Sequence, residues 1–346
     1  MRNFISEDDI EQAILQKLEG DPFQYGILRC DPSPDKRELL PDGTGRSSKK
    51  ECVLPLILRE ALARLNPDIP GEKLEEIARD LCRDFSATDM TATNYKYYNQ
   101  IRNGIKISLR RNGKEDFDFV KLVDFDRPEN NTFTAVSQMW IQGRVYWRRP
   151  DVLIFINGLP MVFVELKNSI VKVEEAYNDN LKNYLRDIPN LFAFNQICVL
   201  SNGLETRLGA FNATYNHFFE WLKVDSEKER PDRQALKEAG TVGESSVRYF
   251  IDGLLQKGRL IAYIENFIMF RNQKNKIIAK KPPVFRSEQL DGIGKEPGGA
   301  AGQAWRVLAH PGFRQILFHG VLRPQGSAQD LGQFHIPDHH RSRRPG

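Results

Sequence analysis

Asp151, Glu165 and Lys167 are the residues of this sequence whose types and spacing could do chemistry. They stand at the ends of two apolar, β-prone segments within residues 148–169, RRPDVLIFINGLPMVFVELKNS. The Asn-Gly pair at 157–158 is a strong signal for a hairpin turn. Folding the chain back there brings Asp151 opposite Glu165 or one of its two neighbours, depending on the loop length. Glu165 and Lys167 are two residues apart and share one strand face.

Two carboxylates beside an amine suit the hydrolysis of a phosphate ester. Burying these charges is costly unless something binds them, and paired carboxylates suit a hard divalent cation such as Mg²⁺. The cation could polarise a phosphodiester and acidify a bound water. Lys167 could orient that water or stabilise the charge that develops at phosphorus. The alternative is structural: Asp151 starts a strand, and Glu165 and Lys167 form a solvated pair at a strand end.

The surrounding sequence resembles one nuclease family. The pattern P-D-x13-E-x-K across a hairpin resembles the PD-(D/E)xK nuclease motif, and the whole segment is similar to the nuclease motif of type I restriction enzyme R subunits. Other similar segments, in family order, are NGIKISL, VDFDRPENNTF, LKNYLRDIPNLFAFNQICVLSNGLETRLGAF and IDGLLQKGRLIAYIENFIMF. The resemblance spans roughly residues 1–280 and implies a restriction-endonuclease-like α/β core, a mixed sheet flanked by helices.

The resemblance implies a role for each of five residues. Asp151 and Glu165 match the metal-binding carboxylates, and Lys167 matches the catalytic lysine. The family usually carries a Gln-x-x-x-Tyr pair on the next helix, thought to touch DNA near the scissile phosphate, and Asn180 and Tyr184 stand at these positions. They are four apart and share one helix face. Asn is one methylene shorter than Gln, and both could equally be ordinary surface residues.

Further candidates lie outside the hairpin. Glu11 falls on the first predicted helix, where PD-(D/E)xK nucleases often place another acidic group; the alternative is a solvated residue beside an apolar stripe. Arg148 and Arg149 precede the hairpin and are predicted to contact the phosphate backbone of DNA. As a cluster the basic residues favour a phosphate-rich partner, although each alone is more often a solvated charge. The other basic residues of this cluster are Arg144, Lys172, Lys182 and Arg186.

Hydrophobic periodicity predicts a mixed α/β core. Ser6 is a plausible N-cap for a helix over 6–18, with Asp9 three residues on. The other predicted elements are helices over 53–65, 71–83, 172–187 and 246–270, strands within 104–166 and at 195–201 and 205–211, and a loop at 31–50. We divide the chain into a nuclease domain (1–225), a helical linker toward a missing motor domain (226–280), and a tail (281–346).

Composition limits the class of protein. The 346 residues are 40% hydrophobic and 28% charged, which is typical of a globular protein of up to two domains. No apolar run of roughly 18 residues and no secretion signal is present, so we expect a cytoplasmic protein without membrane contact. Four scattered cysteines favour a reducing compartment and argue against a zinc site. The net charge of +4 permits a DNA partner without demanding one.

The sequence changes character after about residue 281. Five of the six histidines fall there and no periodicity survives. One explanation is a disordered basic extension. The other is a reading-frame shift near Lys280-Lys281, because codons can be chosen for Leu308–Ile316 that, read one base later, spell the phosphate-binding loop WHTQGSGKS. Resequencing the gene across the lysine codons distinguishes the two.

The resemblance implies the truncated R subunit of a type I restriction-modification system, which cleaves double-stranded DNA with Mg²⁺. In that family an ATP-driven motor follows the nuclease domain and begins with a GxxxxGK[ST] loop. As written, this chain has no such loop, so ATP is expected only for an intact subunit. Methylation and specificity subunits are the implied protein partners.

Other functions stay open. The chain could be a catalytically silent fragment that only binds DNA or docks onto the methyltransferase complex. It could also be a PD-(D/E)xK nuclease of repair or transposition, although the similar segments outside the hairpin argue against this. A zinc protein that uses the C-terminal histidines is disfavoured because cysteine partners and regular spacing are absent.

Overall fold

The structure, a computed structural model, describes residues 5–83, 89–111, 114–225, 229, 231–238, 241–273 and 275–279. All of these residues belong to one compact unit, Met1–Leu290. A second unit, Asp291–Gly346, lies outside the described residues, and so do the predicted tail from 281, its histidines and the reading-frame hypothesis.

The first helix begins where the sequence predicts. Ser6 accepts a hydrogen bond from the amide of Asp9, and the Asp9 carboxylate accepts one from the amide of Ser6, which forms a capping box. The helices are α1 (Glu7–Glu19), α2 (Pro55–Leu65), α3 (Gly71–Cys82), α4 (Met90–Asn103), α5 (Val173–Glu175), α6 (Lys182–Asp187), α7 (Arg233–Glu238), α8 (Ser246–Leu254) and α9 (Lys257–Asn266). Ala176–Leu181 is π-helical and joins α5 directly to α6.

Of the thirteen strands in the described residues, seven form one mixed sheet. The strands are β1 (Gly26–Arg29), β2 (Ile105–Arg111), β3 (Lys114–Val120), β4 (Phe133–Ser137), β5 (Ile141–Gln142), β6 (Trp147–Arg148), β7 (Val152–Ile156), β8 (Leu159–Leu166), β9 (Ile197–Ser201), β10 (Thr206–Gly209), β11 (Phe219–Glu220), β12 (Ile268–Arg271) and β13 (Asn275–Ile278). The sheet order is β1-β4-β7-β8-β9-β10-β11, with β1–β4 and β8–β9 parallel and the other neighbours antiparallel. The remaining strands form the two-stranded hairpins β2–β3, β5–β6 and β12–β13. The predicted mixed sheet flanked by helices is confirmed.

Strands β7 and β8 lie at the centre of this sheet and are buried along their whole length. Their side chains alternate between two apolar clusters on opposite faces: Val152 and Ile154 belong to one, Leu153 and Phe155 to the other. A strand that is covered on both faces needs apolar residues at every position, which explains the unbroken VLIFI and MVFVEL segments. The hairpin is therefore a rigid support for the groups at its open end.

The C-terminal part of the described chain differs from the predicted single helix over 246–270. The chain instead forms α8 and α9, and the strand β12 begins at Ile268. Lys276 on β13 is buried and donates hydrogen bonds to Asn94 Oδ1 (3.1 Å) and Gln196 Oε1 (3.0 Å), which fixes the β12–β13 hairpin to α4 and the start of β9. The boundary at 225/226 stays a prediction. Within the described ranges, no helix is long and apolar enough to cross a membrane.

Candidate active site

The turn of the β7–β8 hairpin has the predicted geometry. Asn157 and Gly158 adopt φ angles of 51° and 81°, and Ile156 pairs with Leu159 across the two-residue turn. A Cβ on Gly158 would come within 2.6 Å of the carbonyl oxygen of Leu54, so close packing as well as backbone conformation requires glycine here.

A β-bulge in this hairpin decides which residues meet at its open end. Continued from the turn without interruption, the pairing would place Asp151 opposite Val164. The register shifts beyond Phe155, however, so that Val152 pairs with Val164 and Asp151 lies beside Glu165. Because a one-residue shift moves a side chain to the other sheet face, the bulge puts both carboxylates on the same face.

The predicted catalytic residues are brought together. Asp151 Oδ2 accepts a hydrogen bond from the amide of Leu166 (2.7 Å), which orients the carboxylate toward β8. Lys167 Nζ lies 3.3 Å from Glu165 Oε1 and donates to the carbonyl oxygen of Leu166. Glu165 is only 1% exposed, and its Oε2 has no hydrogen-bond partner among the described residues. One buried carboxylate oxygen thus lacks, among the described residues, the hydrogen bond that buried polar atoms normally make.

Burial changes the acidity of both carboxyl groups. It raises the pKa of Asp151 to about 6, against the opposing effects of the Leu166 amide and the Lys167 charge. Burial also raises the pKa of Glu165 well above its ordinary value, and the neighbouring Asp151 adds to the rise. Keeping these two carboxylates ionised in a buried site therefore costs free energy, and a bound cation would remove that cost.

Glu11 faces the same site from α1. It is buried and accepts a hydrogen bond from Nε2 of Gln138, the residue that follows β4. Burial raises the pKa of Glu11 to about 7, the Gln138 hydrogen bond opposes this rise, and Asp151 adds to it. The solvated alternative for Glu11 does not describe its surroundings.

Gln138 was missed by the sequence analysis. Its φ of 58° is unusual for a residue other than glycine. Its backbone amide donates to the carbonyl oxygen of Asp151 (3.0 Å). Its side-chain Oε1 is buried and has no hydrogen-bond partner in the described part of the chain. No local sequence pattern marks this position, because its importance comes from the neighbouring strand β7.

Tyr184 and Asn180 lie beside the acids. The Tyr184 ring packs edge-on against Phe163 (5.3 Å between centroids), and its hydroxyl donates to the carbonyl oxygen of Arg149 (3.1 Å). Burial raises the pKa of Tyr184, Glu165 raises it further, and Asn180 opposes the rise. Both residues therefore lie at the site. Asn180 belongs to the π-helical segment, and such segments are often found at functional sites.

The two predicted arginines are placed differently. Arg149 lies over the Trp140 ring (5.2 Å), and its charge acts on both Asp151 and Glu11. Arg148 instead forms an ion pair with Asp187, its Nε lying 2.7 Å from Oδ2. Arg149 therefore contacts the Trp140 ring and the Pro32 carbonyl oxygen and acts on the acids only through its charge. The charge of Arg148 is partly neutralised, because Arg148 shares Asp187 with Arg186.

The two carboxylates fit a divalent cation that takes its other ligands from water and phosphate oxygens. Within the described ranges, no group of three or more His, Cys, Asp or Glu side chains is arranged to hold a metal ion by itself. The unpartnered oxygen of Glu165 beside Asp151 is nevertheless the kind of atom that a hard cation binds. Mg²⁺ commonly takes one or two carboxylates and completes its shell with water and phosphate oxygens, so the pair suffices.

The chain matches known proteins over the domain just described. The sequence model of the family described as type I restriction enzyme R protein N terminus matches residues 4–217. The type I restriction enzyme HindI endonuclease subunit of Haemophilus influenzae is 31% identical over 281 residues, 80% of this chain and 25% of that protein. A Methanocaldococcus jannaschii protein, provisionally named type I restriction enzyme MjaIXP endonuclease subunit, is 30% identical over 290 residues, 78% of this chain and 26% of that protein.

The mixed sheet, its flanking helices and the acidic hairpin define a nuclease-type α/β domain. The chain belongs to the family of type I restriction enzyme R proteins and corresponds to their N-terminal region. It spans about a quarter of the length of the curated relatives it matches.

Proposed function

We propose that this domain cleaves double-stranded DNA by hydrolysing phosphodiester bonds with Mg²⁺. The observation that carries the proposal is the incomplete charge cluster at the β7–β8 hairpin. Glu165 is buried with one oxygen unpartnered among the described residues, and Asp151 and Lys167 lie directly beside it. A purely structural ion pair would satisfy both oxygens of the buried acid.

The residues divide the work as follows. Asp151 and Glu165 would hold the cation, which supplies a polarised phosphate and a more acidic water. Lys167 is held by Glu165 at a position from which its ammonium can orient the attacking water or stabilise the negative charge that develops on the phosphate. Glu11 would act as an additional acid at the same site, because its charge already interacts with Asp151.

DNA would lie across the face that carries Tyr184 and Asn180. The Tyr184 hydroxyl and the Asn180 side-chain amide lie next to the acids. The Asn180 amide can donate to a phosphate near the cleaved bond, and the Tyr184 hydroxyl would do so by exchanging its hydrogen bond to the Arg149 carbonyl oxygen. Arg149 would add a cation close to the same phosphate. Arg148, which is paired with Asp187, would contribute less charge than the sequence predicts.

The wider context of the activity follows from the family. The relatives' names describe endonuclease subunits of type I restriction enzymes. We extend this to the chain as a nuclease domain (1–225) and a linker (226–280) of a subunit that works with a DNA motor, ATP, and methylation and specificity subunits. Sequence recognition would come from those partners.

Plasmid cleavage tests the proposal. Supercoiled DNA is incubated with the full chain and Mg²⁺, and wild type is compared with Asp151→Ala and Lys167→Ala. We expect nicked or linear product from wild type only. Lys73→Ala is the matched control, because Lys73 is an exposed lysine on α3 paired with Glu76.

Two results would contradict the proposal. Identical product from wild type and both site variants would reject the assigned residues. DNA binding by wild type without any Mg²⁺-dependent product would favour the catalytically silent fragment.

A further inference from the structure

The tip of the β5–β6 hairpin exposes apolar side chains in a basic setting. Residues 143–146 join β5 to β6, Val145 is 76% exposed and Tyr146 is 55% exposed. Arg144 beside them is exposed as well. Single exposed apolar residues are ordinary, whereas here two adjacent ones stand beside an exposed arginine at the end of a hairpin.

Two arginines hold the Tyr146 ring. The guanidinium carbons of Arg148 and Arg186 lie 5.8 Å and 5.9 Å from its centroid, within the range of cation–π contacts. Asp187, whose side chain is 3% exposed, binds both guanidinium groups. Because one carboxylate neutralises part of both charges, these arginines are better suited to fix the ring than to bind phosphate.

The tip is also fixed by close backbone packing. The Gly143 amide donates to the carbonyl oxygen of Tyr146 (2.9 Å), which closes the loop. A Cβ on Gly143 would come within 2.0 Å of the carbonyl oxygen of Asp187, so the loop lies directly on the C-terminal end of α6. The same helix carries Tyr184, which ties the tip to the catalytic side of the domain.

The tip cannot lie far from the acids. Tyr146 and Asp151 are five positions apart in the chain, which limits the distance between their Cα atoms to at most roughly 18 Å. One turn of a DNA duplex is about 34 Å long. The tip therefore lies within about half a helical turn's length of a duplex phosphate bound at Asp151.

We propose that Arg144–Tyr146 is a wedge that enters a groove of the DNA substrate. Val145 and Tyr146 make apolar and stacking contacts with sugars and bases, and Arg144 contacts an adjacent phosphate. This rests on the proposed function, because it takes DNA to be the substrate at the neighbouring acids. On sequence alone the arginines of this region form one phosphate-binding cluster, but in the folded chain Arg144 lies apart from Arg148 and Arg186, which contact the Tyr146 ring.

Binding measurements without metal test the wedge. The full chain is titrated onto a fluorescently labelled duplex in EDTA, so that no cleavage occurs, and the anisotropy is followed over a series of salt concentrations. We expect Tyr146→Ala to weaken binding by about tenfold and Val145→Ser by less, with the wild-type salt dependence retained. Arg144→Gln should instead reduce the salt slope by about 0.9, the value for one phosphate contact.

The matched control is Phe117→Ala. Phe117 is an exposed aromatic residue with Lys106 over its ring at 4.1 Å, and it lies on the separate β2–β3 hairpin. Its replacement should leave the affinity unchanged. Thermal unfolding of each variant shows that the fold is retained.

The outcomes separate the wedge from the nuclease. Three results would overturn the wedge. The first is wild-type affinity in both Tyr146→Ala and Val145→Ser, and the second is no measurable DNA binding by wild type. The third is a loss of affinity in Phe117→Ala equal to that in the tip variants. Tip-dependent binding by a chain that never cuts DNA with Mg²⁺ would retain the wedge and reject the nuclease.

Discussion

Two groups of buried charges in this molecule differ in how completely their partners are supplied. In the loop between β1 and α2, Asp42 Oδ2 lies 2.6 Å from Arg46 and 2.7 Å from Lys49, and Thr44 donates to its other oxygen. At the β7–β8 hairpin, the Glu165 side chain is buried more deeply (2% exposed, against 9% for Asp42), and its Oε2 has no hydrogen-bond partner among the described residues. The charges of the first group are compensated within the fold, whereas the second group leaves one buried carboxylate oxygen without a partner among the described residues.

The pKa values of the two groups also differ, and they follow how completely each group is compensated. Burial by itself would raise the pKa of Asp42, but Arg46 and Lys49 outweigh it and hold the pKa below its ordinary value. At the hairpin, burial prevails and the pKa values of Asp151 and Glu165 rise. Two differences act together here: the hairpin acids are buried more deeply than Asp42, and fewer cationic partners compensate them.

The largest effect on stability should come from the loop. Asp42→Ala leaves Arg46 and Lys49 buried without their carboxylate, and their side chains are 0% and 5% exposed. We expect a loss of about 3–5 kcal/mol in the free energy of unfolding, measured by urea denaturation. A loss below about 1 kcal/mol would mean that water already compensates these charges.

Glu165→Gln should have the opposite effect on the stability of the fold. It removes a buried charge that lacks a full set of partners, so thermal stability should stay level or rise by about 1 kcal/mol. Cleavage of DNA with Mg²⁺ should fall by at least about 100-fold in the same variant. Loss of stability together with normal cleavage would show that Glu165 is structural.

The stability of the wild type should fall as pH rises from about 4 to about 7. Asp151 releases its proton near pH 4 when unfolded and near pH 6 when folded, and Glu11 near 4.5 and near 7. Between these values the native state holds more protons, so its stability decreases by up to about 1.4 kcal/mol per pH unit for each group.

Thermal melts of wild type and Asp151→Asn across this range check the pH prediction. The decline should be shallower in Asp151→Asn. Asp42 acts with the opposite sign, since its lowered pKa removes stability only as pH falls below about 4. Parallel curves for the two proteins would contradict the assignment of Asp151.

The smallest effect should come from Asn180. Its amide lies beside the Tyr184 hydroxyl but is only half-buried, so Asn180→Ala should lower the cleavage rate about fivefold, equivalent to one ordinary hydrogen bond. Asn180→Gln introduces the longer amide that the resemblance implies for this position and should cleave at least as fast as wild type. Equal rates for all three proteins would place Asn180 among ordinary surface residues.

Local signals in the sequence were sufficient for several parts of the site. The Asn-Gly pair predicts the hairpin turn, the Ser6–Asp9 spacing predicts the capping box, and apolar runs predict the central strands. Each of these depends on residues within a few positions of one another.

Other parts depend on contacts between distant residues and could not be predicted. The bulge that brings Asp151 beside Glu165 leaves no mark in the apolar pattern, so the sequence predicted three possible partners rather than one. Helix α4 has no clear sequence signal, because its polar composition obscures its buried stripe of Tyr97, Tyr98 and Ile101. The neutralisation of Arg148 by Asp187, 39 residues away, likewise needs the folded chain.

Direct measurement of cation binding is the sharpest test of the acidic hairpin. Mn²⁺ can replace Mg²⁺ at oxygen sites and is followed by the paramagnetic signal of the free ion. We predict that wild type binds at least one Mn²⁺, that Asp151→Asn and Glu165→Gln lose it, and that Asp80→Asn, a change at an exposed acid on α3, retains it. Undiminished Mn²⁺ binding in Glu165→Gln, or none in wild type, would contradict the account.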